Sequence, residues 1–259
     1  PTASQFAGLV ELVKTVFQVP AVAISLSGAG GEGVGGRYHS FLEVPLLREG
    51  ERIGALRILD VAERRFDERD CVLLEGFARL VVEQVDLWAE ASRDVLTGAM
   101  TRRAFADHLA KAYAARQRQH GQSALILFDL DHFKRINDTL GHAAGDAVLR
   151  ATARTVLREL RVEDSFGRVG GEEFAVLLSH VQPAVAAEVA ERLRRAVAAM
   201  VVPGQPGLQV TASFGVVALT DATPSTEALM EAADAALYAA KAAGRNRVEI
   251  GACAPATLV

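Results

Sequence analysis

The chain has 259 residues, half of them hydrophobic, which is enough for one large or two medium domains with a real core. Its formal net charge of -4 argues against a protein that binds a nucleic-acid backbone, because such proteins are usually basic. Two cysteines are too few for a disulfide framework, and no apolar run is long enough to span a membrane, so we expect a cytoplasmic protein without a membrane partner. The sequence begins at Pro1 without methionine, and we therefore expect a fragment of a longer chain.

Residues 1–70 are predicted to form a small α/β domain. An amphipathic helix over Phe6–Phe17 precedes three strand patterns, Val22–Leu26, Ser40–Leu47 and Arg52–Leu59. The glycine-rich stretch SGAGGEGVGGR follows the first strand and lacks the Lys-Ser/Thr pair of a phosphate-binding P-loop. It therefore predicts a flexible surface loop.

A long helix is predicted from Asp67 to Arg93. Residues that suit a heptad seam recur along it at alternating spacings of four and three: Leu73, Phe77, Leu80, Gln84, Leu87 and Ala91. The pattern covers under three heptads, and an amphipathic helix packed on its own domain would also explain it. Because the helix joins two segments of different character, we favour a dimerising connector over residues 71–93.

From Asp94 onward, helix and strand patterns alternate. The predicted strands cover residues 124–128, 165–169, 173–179, 210–219 and 247–250, and the predicted helices cover 102–119, 147–160, 184–200 and 226–243. The order βαββαβ, with a further helix and strand, is that of a ferredoxin-like or palm α+β domain over residues 94–251, with 252–259 as a tail. In this topology the first strand lies beside the strand that follows the hairpin.

Acidic residues fall at the ends of these two neighbouring strands. The strand ALILFDLDHFK runs into Asp129 and Asp131, and the hairpin RVGGEEF places Glu172 and Glu173 at the start of its second strand. Two carboxylates ~4 Å apart repel by roughly 4 kcal/mol at an effective dielectric of about 20. A shared proton is one way to compensate them. A hard divalent cation such as Mg²⁺ is a better one for three or four converging carboxylates without thiols or clustered histidines.

Four motifs resemble the GGDEF family of diguanylate cyclases, in the family's order and spacing, over about residues 94–250. They are DVLTGAMTRR, FDLDHFKRINDTLGHAAGD, RVGGEEF and ADAALYAAKAAGRNRV. A departure is Thr101, where asparagine is common in a structural motif. The resemblance implies an enzyme that joins two GTP molecules into cyclic di-GMP, releases two pyrophosphates and uses Mg²⁺, with Mn²⁺ as the alternative ion.

The resemblance also implies roles for the acidic residues. Asp129, the backbone carbonyl of Leu130 and Glu172 would hold the metal ion. Glu172 would in addition act as the base for the attacking 3′-hydroxyl. Glu173 would bind metal, support Glu172 or brace the turn. Lys134 would act in catalysis together with these two glutamates.

The same resemblance assigns the substrate contacts. A carboxylate suits guanine because it accepts from both N1–H and the exocyclic amine. Lys241 and Arg245 are four residues apart on one predicted helical face, which suits a shared anion. The guanine edge would be read by Asn137 and Asp146, and the triphosphate would be held by Phe133, Lys134, Lys241 and Arg245.

Upstream of the hairpin, RVED provides Arg161 and Asp164 and matches the family's RxxD inhibitory site, which binds the product. Alone, this pattern is usually a salt bridge at a helix end. The site needs another arginine, and the candidates are Arg192 and its neighbours Arg194 and Arg195.

One set of nucleotide motifs implies one GTP for each domain, so the reaction needs a homodimer of half-sites through the N-terminal module and the connecting helix. Residues FLEVPLLREGERIGALRILDVAERRFDERDCVLLEGFARLVVEQV resemble a GAF sensory domain, shortened between Leu26 and Ser40. We therefore expect dimerisation or signal relay there, without a bound ligand. Open alternatives are a silent receptor for GTP or cyclic di-GMP, a cyclase that makes a mixed cyclic dinucleotide, and a dimerisation scaffold.

Overall fold

The computed structural model describes residues 6–26, 37–119 and 122–253, with only the backbone described for 117–119. The chain divides into two compact units, residues 1–91 and 92–259. The predicted glycine-rich surface loop falls almost entirely on residues 27–36, which lie outside the described residues. In the described part of the chain, no helix combines the length and apolar character needed to cross a membrane.

The first unit combines a three-stranded antiparallel sheet, in the order β1-β3-β2, with two helices. Residues at alternate positions of β2 and β3, such as Val44, Leu46, Leu56 and Ile58, are buried with apolar residues of both helices in one core. The elements are α1 (Ala7–Phe17), β1 (Ala21–Leu26), β2 (Ser40–Arg48), β3 (Glu51–Asp60) and α2 (Glu68–Ala91).

Helix α2 has one face in this core and one face in solvent. Asp67 caps its start, since its carboxylate accepts the backbone N–H of Asp70 at 2.9 Å. Three leucines of the predicted heptad seam, Leu73, Leu80 and Leu87, are 46%, 46% and 66% exposed. The inclusion of Phe77 in that seam was wrong, because its ring is buried in the core of its own unit, edge to face with Phe17.

The second unit is an α+β domain around a six-stranded sheet in the order β4-β6-β7-β5-β8-β9. Strand β5 is antiparallel to both β7 and β8, which confirms the predicted βαββαβ arrangement. The sequence analysis missed β4 and α4, and it began the helix that corresponds to α5 at residue 147 instead of His142. The elements are β4 (Met100–Thr101), α3 (Arg102–Gln119), β5 (Ser123–Leu130), α4 (Phe133–Leu140), α5 (His142–Glu159), β6 (Ser165–Arg168), β7 (Glu173–Ser179), α6 (Pro183–Ala199), β8 (Ala212–Leu219), α7 (Thr226–Ala242) and β9 (Val248–Gly251).

A row of four phenylalanines crosses the centre of this sheet and fixes its register. Phe128 on β5 pairs with Phe174 on β7 and with Phe214 on β8, with ring centroids 5.3 and 4.7 Å apart. Phe166 on β6 continues the row, 5.4 Å from Phe174. A slip of one residue would turn these rings to the opposite face of the sheet. The row therefore determines which residues meet at the next position along the strands.

Candidate active site

The position after the phenylalanine row brings the two acidic motifs together. Asp129 on β5 lies directly opposite Glu173 on β7, in the register set by Phe128 and Phe174. The backbone N–H of Leu130 donates to the carbonyl of Glu172 at 3.3 Å. The predicted metal ligands Asp129, Leu130 and Glu172 are thus neighbours at one edge of the sheet.

Asp129 is the buried carboxylate of this edge, with its side chain 10% exposed. Burial raises its pKa to about 6, although the hydrogen bond from Lys241 opposes that rise, and the negative charges of Glu172 and Glu173 raise the pKa further. The Nζ atom of Lys241 lies 3.0 Å from the Oδ2 atom of Asp129. The ammonium group of Lys241 therefore offsets the negative charge of Asp129. The nearby negative charges of Glu172 and Glu173 favour a further cation beside it.

Asp131 does not contribute to this acidic cluster, so the expectation of three or four converging carboxylates was wrong for this residue. Its two oxygens accept the hydroxyls of Thr211 and Ser213, both at 2.7 Å, and Oδ2 also accepts the backbone N–H of Asn246 at 3.1 Å. With these hydrogen bonds, Asp131 joins β5 to the start of β8 and to the turn after α7. The carboxylate of Asp131 therefore stabilises the fold. Its partners are distant in sequence, so the sequence pattern alone could not show them.

Arg168 fixes the turn between β6 and β7, a role that the sequence analysis missed. Its guanidinium donates to the carbonyl of Gly171 at 2.6 and 3.1 Å and forms an ion pair with Asp94 at 3.2 Å. Asp94 also accepts from the hydroxyl of Thr97 at 2.5 Å, and although burial raises its pKa, the hydrogen bonds from Thr97 and Arg168 lower it overall. The DVLTG motif thus supports the hairpin that carries Glu172 and Glu173.

The two residues assigned to guanine lie on adjacent helices, Asn137 on α4 and Asp146 on α5. Gly145 lets the helices approach: a Cβ atom added there would lie 1.9 Å from Oδ1 of Asn137 and 3.2 Å from the ring of Phe133. Asp146 is about half exposed, and its nearest cation is Arg150 at 3.9 Å. Both side chains are partly exposed, and the close approach at Gly145 is a feature that only packing reveals.

The residues assigned to the triphosphate come from two elements. Phe133 and Lys134 begin α4, where the first backbone N–H groups have no acceptor within the helix and favour an anion. Lys241 lies in the last turn of α7. The expectation that Arg245 shares its helical face was wrong, because α7 ends at Ala242 and Arg245 follows in a left-handed turn with φ 63°.

The predicted inhibitory residues Arg161, Asp164 and Arg192 line one depression of about 100 Å³. Asp164 holds the loop after α5, because it accepts backbone N–H groups from Arg161 at 3.0 Å and Ser179 at 3.2 Å. Arg192 contacts Glu159 at 3.0 Å. Neither Arg194 nor Arg195 lines the depression, so the geometry favours Arg192 among the three candidates.

The donor set at the sheet edge fits a hard cation. Two carboxylates and a backbone carbonyl are oxygen ligands of the kind that Mg²⁺ accepts, with the remaining positions left to water or phosphate. Within residues 6–26, 37–119 and 122–253, no three His, Cys, Asp or Glu side chains gather closely enough to form a metal site by themselves. A metal ion at this position would therefore take further oxygen ligands from water or a bound phosphate.

Comparison with known proteins agrees with these features. Residues 91–247 match the family model described as "Diguanylate cyclase, GGDEF domain". DgcP, a diguanylate cyclase of Pseudomonas aeruginosa, is 44% identical over 163 residues, which are 62% of this chain and 24% of the relative. DgcC, a probable diguanylate cyclase of Escherichia coli, is 36% identical over 162 residues, 62% of this chain and 44% of the relative. This chain thus spans less than half the length of both relatives.

A solved structure agrees as well. The coiled coil and GGDEF domain of DgcB from Caulobacter crescentus, in complex with c-di-GMP, superimposes with a TM-score of 0.63 at 32% identity, covering 71% of this chain and 100% of that one. Fold and site together define a palm-like α+β domain with an acidic cluster at the end of its central strands. The chain belongs to the GGDEF family of diguanylate cyclase domains, as its four motifs predicted.

Proposed function

We propose that the protein is a diguanylate cyclase that condenses two GTP molecules into cyclic di-GMP and releases two pyrophosphates. The observation that carries this proposal is the register that sets Asp129 opposite Glu173, with Lys241 3.0 Å from Asp129. This arrangement places acidic side chains and the ammonium group of Lys241, which can bind phosphate, at the same end of the central strands. The family membership then gives the reaction.

In the proposed reaction, the 3′-oxygen of one GTP attacks the α-phosphorus of the other. Glu172 accepts the proton of that hydroxyl, the bond from the α-phosphorus to its bridging oxygen breaks, and pyrophosphate leaves. The reciprocal attack closes the ring. Asp129, the carbonyl of Leu130 and Glu172 would hold Mg²⁺, or Mn²⁺ as the alternative, which when bound neutralises charge on the phosphate oxygens.

The remaining residues orient the nucleotide. Asn137 on α4 and Asp146 on α5 offer an amide and a carboxylate, which suit the N1–H and amine of guanine. Glu173 lies opposite Asp129 in the β5–β7 register, where it would bind metal, support Glu172 or brace the turn. Lys134 lies at the exposed start of α4, where it would take part in catalysis. The triphosphate is assigned to the N–H groups of Phe133 and Lys134 and to the side chains of Lys134, Lys241 and Arg245.

The proposal includes a homodimer, because each domain has one set of nucleotide contacts and the reaction consumes two GTP molecules. Leu73, Leu80 and Leu87 recur every seven residues on the exposed face of α2, which supports a helix pair through this segment. We also propose that the first unit is a compact GAF-like relay or dimerisation module without a ligand, in a protein of the cytoplasm, where GTP is supplied.

Product inhibition is the last part of the proposal. The depression lined by Arg161, Asp164 and Arg192 offers two guanidinium groups and a carboxylate for a guanine-containing dinucleotide. If product binds there, Arg161→Ala lowers the inhibition by added cyclic di-GMP and leaves the initial rate unchanged. Unchanged inhibition in this variant would rule out the assigned site.

Incubation of the full chain with GTP and Mg²⁺, followed by chromatography of the products, tests the main proposal. The parent protein is expected to form cyclic di-GMP, and Glu172→Gln, which keeps the shape of the side chain and removes its charge, is expected to form none. Glu231→Gln, on the exposed part of α7, is the matched control and should act as the parent does. GTP binding without turnover would instead identify a receptor, and a product containing adenine from mixed nucleotides would identify a broader cyclase.

A further inference from the structure

The turn after α7 has an unfavourable backbone. Gly244, Arg245 and Asn246 have positive φ angles of 115°, 63° and 46°. Glycine accepts this region readily and asparagine tolerates it, but arginine is rarely found there. Gly244 is a glycine just past a helix end, where a left-handed residue is common. A left-handed arginine followed by a second left-handed residue needs further contacts that hold it.

The backbone N–H groups of Gly244 and Arg245 close this turn by donating to the carbonyls of Lys241 at 3.4 Å and Ala240 at 3.0 Å, and Asn246 adds two further contacts. Its backbone N–H donates to Oδ2 of Asp131 at 3.1 Å, which ties the turn to the end of β5. Its side-chain Oδ1 accepts from Nη1 of Arg194 on α6 at 2.7 Å. The turn is therefore held between the strand that carries Asp129 and a helix on which no substrate contact has been placed.

Arg194 is itself well fixed. Its Nε and Nη2 atoms donate to the two carboxylate oxygens of Glu191, both at 2.8 Å, and its side chain is 18% exposed. The paired contact lowers the pKa of Glu191 to about 2, mainly through the hydrogen bond from Arg194. The third nitrogen of the guanidinium group, Nη1, donates to Asn246. A lysine could not make all three contacts because its ammonium group lacks this planar geometry.

We propose that Arg194 is a positioning residue of the phosphate-binding cluster: through Asn246, it holds the left-handed turn that presents Arg245 to the triphosphate. The inference rests on the proposed function, since it assigns Arg245 to the nucleotide. Arg194 acts on the ground-state complex, because Arg245 binds phosphate before any bond is broken. The substitution of Arg194 therefore changes KM and nucleotide affinity more than kcat.

The chain contains a matched control for this substitution. Arg195 also contacts Glu191 at 2.8 Å, but its side chain is 72% exposed and it makes no contact with Asn246 among the hydrogen bonds of the described residues. Arg194→Ala is expected to raise both the KM for GTP and the Kd for a non-hydrolysable GTP analogue about tenfold, as for the weakening of one charge-assisted hydrogen bond. Arg195→Ala is expected to retain the parental values.

A double-variant comparison separates positioning from general destabilisation. If Arg194 acts through Arg245, then Arg194→Ala has little further effect in an Arg245→Ala background. Asn246→Gly removes the same hydrogen bond from the exposed turn while accepting the left-handed backbone, and it should reproduce the loss even if Arg194→Ala fails to fold.

The outcomes distinguish this inference from the proposed function. Parental affinity in both Arg194→Ala and Asn246→Gly overturns the inference and leaves the cyclase proposal intact. An equal loss from Arg194→Ala with and without Arg245 also overturns it. Failure of the parent itself to bind the analogue or to form cyclic di-GMP overturns the proposed function, and with it the role given to Arg245.

Discussion

Lys241 and Asp129 form an ion pair of 3.0 Å at the end of the central strand, although 112 positions separate them in the sequence. The pair explains how a carboxylate that is only 10% exposed is accommodated before any substrate binds. It also places the cation of α7 beside the acidic cluster. In the proposed reaction, the triphosphate and its metal ion would offer each partner of this pair a second interaction.

The pKa of Asp129 leads to a pH dependence of folding. Burial raises this pKa from 3.8 to about 6, so between those pH values the folded protein keeps a proton that the unfolded chain has released. The carboxyl therefore destabilises the fold progressively as pH rises from about 4 to 6, by on the order of 3 kcal/mol in total.

Asp129→Asn removes this titration. With a chelator present, we expect the free energy of unfolding of Asp129→Asn, relative to the parent, to increase across this pH range and to level off above it. Denaturant unfolding at several pH values measures the difference. A difference that does not change with pH would show that the pKa of Asp129 is not raised.

Gly145 is expected to control the guanine contacts. The Cβ atom of Gly145→Ala would lie 1.9 Å from Oδ1 of Asn137, so that side chain has to move and GTP affinity should fall about tenfold. Nucleotide titration measures the loss. Gly8→Ala, in α1 with nothing within 4 Å of the added atom, is the control, and it should retain affinity. Unchanged GTP affinity in Gly145→Ala would show that Asn137 does not contribute to substrate recognition.

Arg168 is expected to support catalysis from outside the reacting groups. Arg168→Ala removes the donors to Gly171 and the partner of Asp94, which should lower the free energy of unfolding by about 2 kcal/mol. It should also lower kcat, because the turn that carries Glu172 loosens. Arg168→Lys should be intermediate, and Arg103→Ala, on the exposed start of α3, should be neutral. Full activity in Arg168→Ala would contradict this support.

The exposed leucines of α2 are expected to join two copies of the chain. Leu80→Lys places a charge in the middle of the stripe and should shift sedimentation towards the monomer, with specific activity that falls more steeply on dilution. Val201→Lys changes a residue that is 82% exposed in the second unit and serves as the control. A Leu80→Lys protein that remains dimeric and active would place the dimer contact elsewhere.

The family, the α+β class and most of the helices and strands could be predicted from the amino-acid sequence. These follow from local signals: strands of the second unit are short apolar runs, helices are amphipathic, and the glycine pair before Glu172 marks the hairpin. The βαββαβ order then fixed β5 beside β7, since few other arrangements of such elements occur. The acidic residues could thus be assigned to one edge of one sheet.

The partner of each charged side chain could be identified only from the folded structure. Asp131 looked equivalent to Asp129 two positions earlier, but its hydrogen bonds come from Thr211, Ser213 and Asn246. Arg245 appeared to continue a helix that in fact ends three residues earlier. Such outcomes depend on partners that are far apart in the chain and are brought within hydrogen-bonding distance only by packing, which is why periodicity and motif spacing do not reveal them.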